Sequence, residues 1–204
     1  MIARRSLGLL LLAGLLPAHA ADLPAPAQPI VALNAALLAA MRAGAATPFA
    51  TRAATLRPVV ERVFDLPTIL RNSVGAARWS GFAPAVQQEL VEAFTRFTVA
   101  SWTANFDSFN GERFEVRPEL RQVGADSVVQ SNIVPTTGTP TRLDYVMRDT
   151  GGTWKAVDVL VDGAISRVAT QRSDFRSLLS GGDAAPLIAM LQSKAVALAT
   201  GGKS

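Results

Sequence analysis

Asp158 and Asp162 stand four residues apart in the string DVLVDGAIS, and two carboxylates are the least equipment that general acid–base chemistry needs. Val157, Val159 and Val161 alternate around them as in a strand, and four strand residues span about 13 Å at ~3.3 Å each. Glycosidase carboxylates work at roughly 5 to 9.5 Å, so the pair fails that test. Both are read as solvated residues of a polar strand face, available to cap neighbouring groups. Ser166 comes just after, at a strand-to-helix junction where a nucleophile elbow would place its serine. The local string Gly163-Ala164-Ile165-Ser166-Arg167 lacks the G-x-S-x-G pattern. Ser166 is therefore read as an N-cap, with Ile165 packing beneath the first turn.

Other chemistry is limited by residue types. The chain has no cysteine, and its single histidine is His19, inside a stretch read below as a removable leader. Without His or Cys there is no His-based triad, no thiol nucleophile and no zinc site of the usual N/S kind. Lys155 and Lys194 lack an S-x-x-K setting, and phosphate loops, dinucleotide fingerprints and calcium loops are absent. No cofactor is implied. Tyr145 beside Asp144 invites a proton-transfer reading, but neighbours on a strand point to opposite faces. Arg172, Asp174 and Arg176 are read either as a charged surface for a partner or as solvated helix positions.

Residues 1–20 have the three zones of a secretory signal peptide: Arg4-Arg5, the apolar run LGLLLLAGLLPA, and Ala18-His19-Ala20 before a cleavage point. The run is too short to span a bilayer, so export to the periplasm is expected, by the Sec or the twin-arginine route. Losing Arg4 and Arg5 leaves the twenty Lys+Arg only slightly ahead of the sixteen Asp+Glu. The remaining arginines are scattered rather than striped, which argues against a nucleic-acid partner. Residues 21–29, ADLPAPAQP, read as an extended Pro/Ala tether. Residues 30–200 then read as a single α+β domain without disulfides.

Within it, residues 30–111 are expected to be helical. IVALNAALLAAMRAG should stop near Gly44. Leu56, Val59, Val60, Val63 and Phe64 form a helical stripe that tolerates Pro58 only in a first turn or at a kink. Asp65 should cap LPTILRNSV, closed by Gly75. The longest helix is placed from about Ala85 to Phe109, with aromatics on more than one stripe. From residue 112 to 163 the period becomes two, giving four antiparallel strands in a curved sheet with one apolar and one polar face. Residues 166–200 return to helix. Helices should cover one sheet face.

Phe94, Phe97, Trp102 and Phe106 of the long helix then face Phe114, Val116, Leu143, Tyr145, Met147, Val159 and Val161 of the sheet, with Phe175 from the helix after it. Such an apolar excess reads as a dense core, or as layers that do not close and leave an apolar cavity for lipid. Burying acyl methylenes at ~0.8 kcal/mol each needs no catalytic group. These twelve are the candidate lipid-binding residues.

Several strings in order resemble the MlaC and toluene-tolerance family of periplasmic lipid-binding proteins: LRPVVERVFDLPTIL from Leu56, the VGAARWSG that follows, LVEAFTRFTVASWTANFDSFNGERFEV, TWKAVDVLVDGAIS and RSDFRSLLSGGDAAPLIAMLQSK. The last portion, with RVATQRSDF after Ser166, is similar to the hopanoid-biosynthesis-associated HpnM branch. Trp102 stands where the family commonly has tyrosine. The resemblance implies a monomeric carrier that holds a phospholipid or hopanoid between sheet and helices and makes transient membrane contact. It also implies an inner-membrane transporter of ABC/MCE or resistance-nodulation-division type as partner, and no catalytic residues. Two other readings remain open: a small cone-fold isomerase or hydratase using Tyr145 and a carboxylate, and a protein-binding adaptor with a filled core.

Overall fold

The computed structural model describes residues 23–201; the expected leader, residues 1–20, lies outside them. Leu23 to Gln28 is where the structure departs first from the sequence reading. Instead of an extended tether, Ala25–Ala27 forms a 3-10 turn running into α1 (Gln28–Ala43), with Pro26 and Ala27 buried. Prolines preset a helix-compatible φ, and the Gln28 side-chain amide donates to the Leu23 carbonyl at 2.8 Å, so the segment packs. Helix α1 buries Ile30, Leu33, Leu37 and Met41 at helical spacing, and ends at Gly44 with φ 62°, where only glycine is unstrained.

Helix α2 (Phe49–Val63) carries Pro58 well inside rather than at its start. Pro58 and Ala54, whose carbonyl loses its helical donor, are both exposed, so water can satisfy that carbonyl. Asp65 caps α3 (Leu66–Val74), accepting from the Thr68 amide at 3.1 Å and the Thr68 hydroxyl at 2.7 Å. A short α4 (Ala76–Ser80) leads to α5 (Pro84–Asn105). Helix α5 stops four residues before the expected Phe109, because Asp107, Ser108, Asn110 and Gly111 favour turn over helix. Phe109 is thereby 39% exposed in the loop.

Strands β1 (Arg113–Val123), β2 (Asp126–Val134), β3 (Thr141–Thr150) and β4 (Thr153–Val161) are the four expected, and a two-residue β5 (Ile165–Ser166) extends the sheet. The order is a simple antiparallel meander, β1 to β5. Tyr145 lies opposite Val129 and Val159, and Leu143 opposite Val161. Val157 breaks the expected alternation: the register shifts so that Met147 pairs with Ala156 and Val146 with Asp158, a bulge that takes Val157 out of the Val159/Val161 row. A second irregularity, between Val116 and Leu120 of β1, falls at Pro118, which lacks the amide a ladder needs.

Helices α6 (Arg167–Leu178) and α7 (Ala185–Ala199) close the described chain. Helix α6 packs on α3 and β4, and α7 on α5. Arg172 joins α6 to α3 by donating twice to the Asn72 carbonyl, at 3.0 and 2.7 Å. It is thus structural, satisfying an open carbonyl in the last turn of α3. On the outer sheet face Asp144 is 1% exposed and accepts a bidentate pair from Arg142 at 2.7 Å. Among the described residues no helix is long and apolar enough to cross a membrane.

Candidate functional site

A cavity of about 400 Å³ opens between α3, α5, α6 and strands β2 to β4. The longest helix builds one wall. Phe94, Phe97, Ser101, Trp102, Asn105 and Phe106 all line it, and spacings of three and four put them on one side of α5. Ile133, Leu143, Val159 and Val161 form the sheet wall. The parallel bridge of Phe64 with Ala156, and the Asp65 amide donating to the Ala156 carbonyl at 2.9 Å, pin the α2–α3 junction against β4. That brings Phe64, Leu66 and Ile69 to the third side.

The aromatics are chained rather than scattered. Phe64 and Trp102 have ring centroids 5.5 Å apart, Trp102 stacks on Phe106 at 5.5 Å and 21°, and Phe106 meets Phe114 at 6.1 Å. This row stiffens the wall from side to side.

Of the twelve candidates, Phe94, Phe97, Trp102, Phe106, Leu143, Val159 and Val161 line the cavity. Phe114, Val116, Tyr145, Met147 and Phe175 do not. Phe114 stands behind Phe106, Tyr145 behind Phe64 at 6.3 Å, and Met147 and Phe175 are buried in the core. The lining that sequence reasoning missed comes from the α2–α3 junction and α3, from the polar edge of the α5 stripe, from Arg167, Val168 and Gln171 of α6, and from Ile133, Thr141 and Asp158 of the sheet. Thr98, Ser101 and Asn105 also recur at three and four, a pattern visible beside the aromatics had polar residues been counted.

The β4–α6 junction is a capping cluster. Asp158 accepts from the Ser166 hydroxyl, from the Val159 amide at 2.8 Å and from the Val168 amide at 3.1 Å. Ser166 in turn accepts from the Ala169 amide at 3.0 Å, as an N-cap should. Ile165, expected to pack beneath this turn, is instead 57% exposed, its backbone paired with Val161 at the edge of the sheet. Asp162 does not line the cavity, so no carboxylate pair faces it. Ser166→Ala is expected to lower unfolding free energy by about 1 kcal/mol in denaturant titration while leaving bound ligand unchanged.

Tyr145, half of the proton-transfer pair in the enzymatic alternative, is fully buried with an unpartnered hydroxyl, and burial pushes its phenol well above the usual range. It does not reach the cavity, and Asp144 beside it is engaged with Arg142. Removing a buried unsatisfied hydroxyl relieves a desolvation cost, so Tyr145→Phe should raise stability by about 1 kcal/mol. Unfolded tyrosine ionises near pH ~10. Above that pH the unfolded chain loses a proton that the folded chain keeps, so wild-type stability should fall as pH rises, at about 1.4 kcal/mol per unit. The variant should lack this component, and because the chain has one tyrosine, tyrosinate absorbance reports it alone.

A meander sheet with helices over one face, and a mainly apolar cleft walled by the longest helix, define the α+β architecture. A family model of the MlaC protein matches residues 32–193, and the chain belongs to the MlaC family. Among solved structures it is similar to a phospholipid-binding protein from Ralstonia solanacearum, determined in complex with a phospholipid. The TM-score is 0.72 and the identity 19%, over 86% of this chain and 98% of that one. At that identity the likeness concerns the fold. No curated protein matches.

Proposed function

We propose that this protein is a periplasmic lipid carrier without enzymatic activity, holding the acyl part of a phospholipid in the cleft between α5 and the sheet. The observation that carries the proposal is the 400 Å³ cavity with mainly apolar walls that are buried or half-buried, in the range of small-molecule sites. A filled-core adaptor has no use for such a space. The complex of the Ralstonia protein with a phospholipid supports phospholipid over hopanoid, and the leader-like residues 1–20 support the periplasm. Exchange with an inner-membrane transporter rests on family membership.

Energetics suit carriage. Ten methylenes moved from water into the cleft gain about 8 kcal/mol, comparable to the roughly 4 to 15 kcal/mol that association costs. Taken from a bilayer, the same chain merely exchanges one apolar surrounding for another. Loading and unloading are then close to balanced, as a shuttle requires. Organic extraction of the purified protein followed by mass spectrometry should release near-stoichiometric phospholipid. Repeated preparations without lipid, from protein that also fails to take lipid from vesicles, would contradict the proposal.

A further inference from the structure

The cavity is amphipathic from inside to outside. Of its lining residues only Asn105, Thr141 and Arg167 are exposed, and all three are polar. They come from three separate places, the end of α5, the start of β3 and the start of α6, and mark the polar, solvent-exposed mouth of a lining whose other residues are apolar except for Thr98, Ser101, Asp158 and Gln171.

Arg167 supplies the only cation of this lining. Among the described residues it makes no ion pair, whereas Arg142 and Arg148 have carboxylate partners. It also occupies the first turn of α6, which contains no acidic residue, a place where the helix dipole disfavours positive charge. Local helix energetics therefore do not explain it. The one lining carboxylate, Asp158, has three donors already directed at it, and two first-turn amides of α6 are taken by Asp158 and Ser166. Recognition of a ligand's polar end at this mouth thus falls to the Arg167 side chain, with Asn105 and Thr141 as neutral hydrogen-bonding neighbours.

Building on the lipid-carrier reading, we infer that Arg167 sets a preference for amphiphiles whose apolar chain ends in an anion, phosphate or carboxylate, over uncharged ones. A guanidinium matches both oxyanions with paired N–H donors.

The test uses delipidated protein and three single-chain probes of equal length: palmitate, hexadecyl phosphate and hexadecanol, each titrated against a bound environment-sensitive apolar dye. Both anionic probes should displace the dye about tenfold more tightly than hexadecanol, a modest ratio because the cation is exposed and screened. In Arg167→Gln that ratio should collapse towards one, and Arg167→Lys should restore part of it. High salt should shrink the ratio in wild type and in Arg167→Lys, and leave that of Arg167→Gln unchanged. Inorganic phosphate alone should not displace the dye; if it did as well as hexadecyl phosphate, the mouth would be a simple anion site and the inference would fail. An undiminished ratio in Arg167→Gln with an unchanged melting curve would also overturn it. If no probe of any charge displaces the dye, the carrier reading itself fails, a result distinct from loss of the charge preference alone.

Discussion

Leu143→Arg, and independently Val159→Arg, should emerge from purification folded but without lipid. Both side chains line the cavity from the sheet, and Leu143 lies directly opposite Val161, another lining residue. An arginine at either place inserts a hydrated cation into space otherwise bounded by Phe97, Trp102 and Phe106, where an unpaired charge is costly to bury. The long side chain can bring its guanidinium to the polar mouth and lay its stem along the wall. Fold is thus preserved while the room for an acyl chain disappears. Extracted lipid per protein should fall at least tenfold relative to wild type, with far-UV circular dichroism unchanged. A variant that stayed folded and kept its lipid would place the ligand elsewhere.

Phe94→Ala should have the largest effect on stability. Phe94 is 1% exposed and belongs to both the core and the cavity wall. Truncating a buried phenylalanine typically costs about 3 to 5 kcal/mol, a large share of the stability of a domain this size. Phe97, one turn along the same helix, also lines the cavity but is only partly buried. Phe97→Ala should therefore unfold at a denaturant midpoint much closer to wild type. Equal losses at the two positions would mean that the cavity is packed as tightly at Phe97 as at Phe94.

Much of this architecture is legible in the chain because local and global signals agree. Asp65 and Gly75 bracket α3, Gly44 closes α1, and Ser166 caps α6 through turn chemistry that needs no tertiary information. The four long strands follow from period two. What strict alternation cannot contain is a register shift, and the bulge at Val157 changes which β4 residues share a face with Met147. Helix α5 ends short of the expected Phe109 for a different reason: Phe106 and Phe109 continue the aromatic pattern, but the polar residues between them do not continue the helix.

The candidate site was readable where one element supplies it and obscure where several meet. The aromatic stripe on α5 lines the cavity as its spacing suggests, whereas Phe114 and Tyr145 share the apolar face of the sheet yet stand in a second row. Depth behind a wall is a tertiary property. Phe64, Leu66 and Ile69 are unreadable as lining because their position depends on long-range contacts such as the pairing of the α2–α3 junction with Ala156, 92 residues beyond Phe64 in sequence, which no local pattern announces.

The central claim is that an acyl chain lies between α5 and strands β3 and β4. A crystal structure of the protein loaded with a phospholipid brominated along one acyl chain tests this directly through anomalous scattering. Bromine peaks should fall among Trp102, Leu143 and Val159, with the headgroup towards Arg167. Bromines on the outer sheet face, beside Arg142 and Asp144, or a cleft closed by its own side chains while lipid binds elsewhere, would contradict the account.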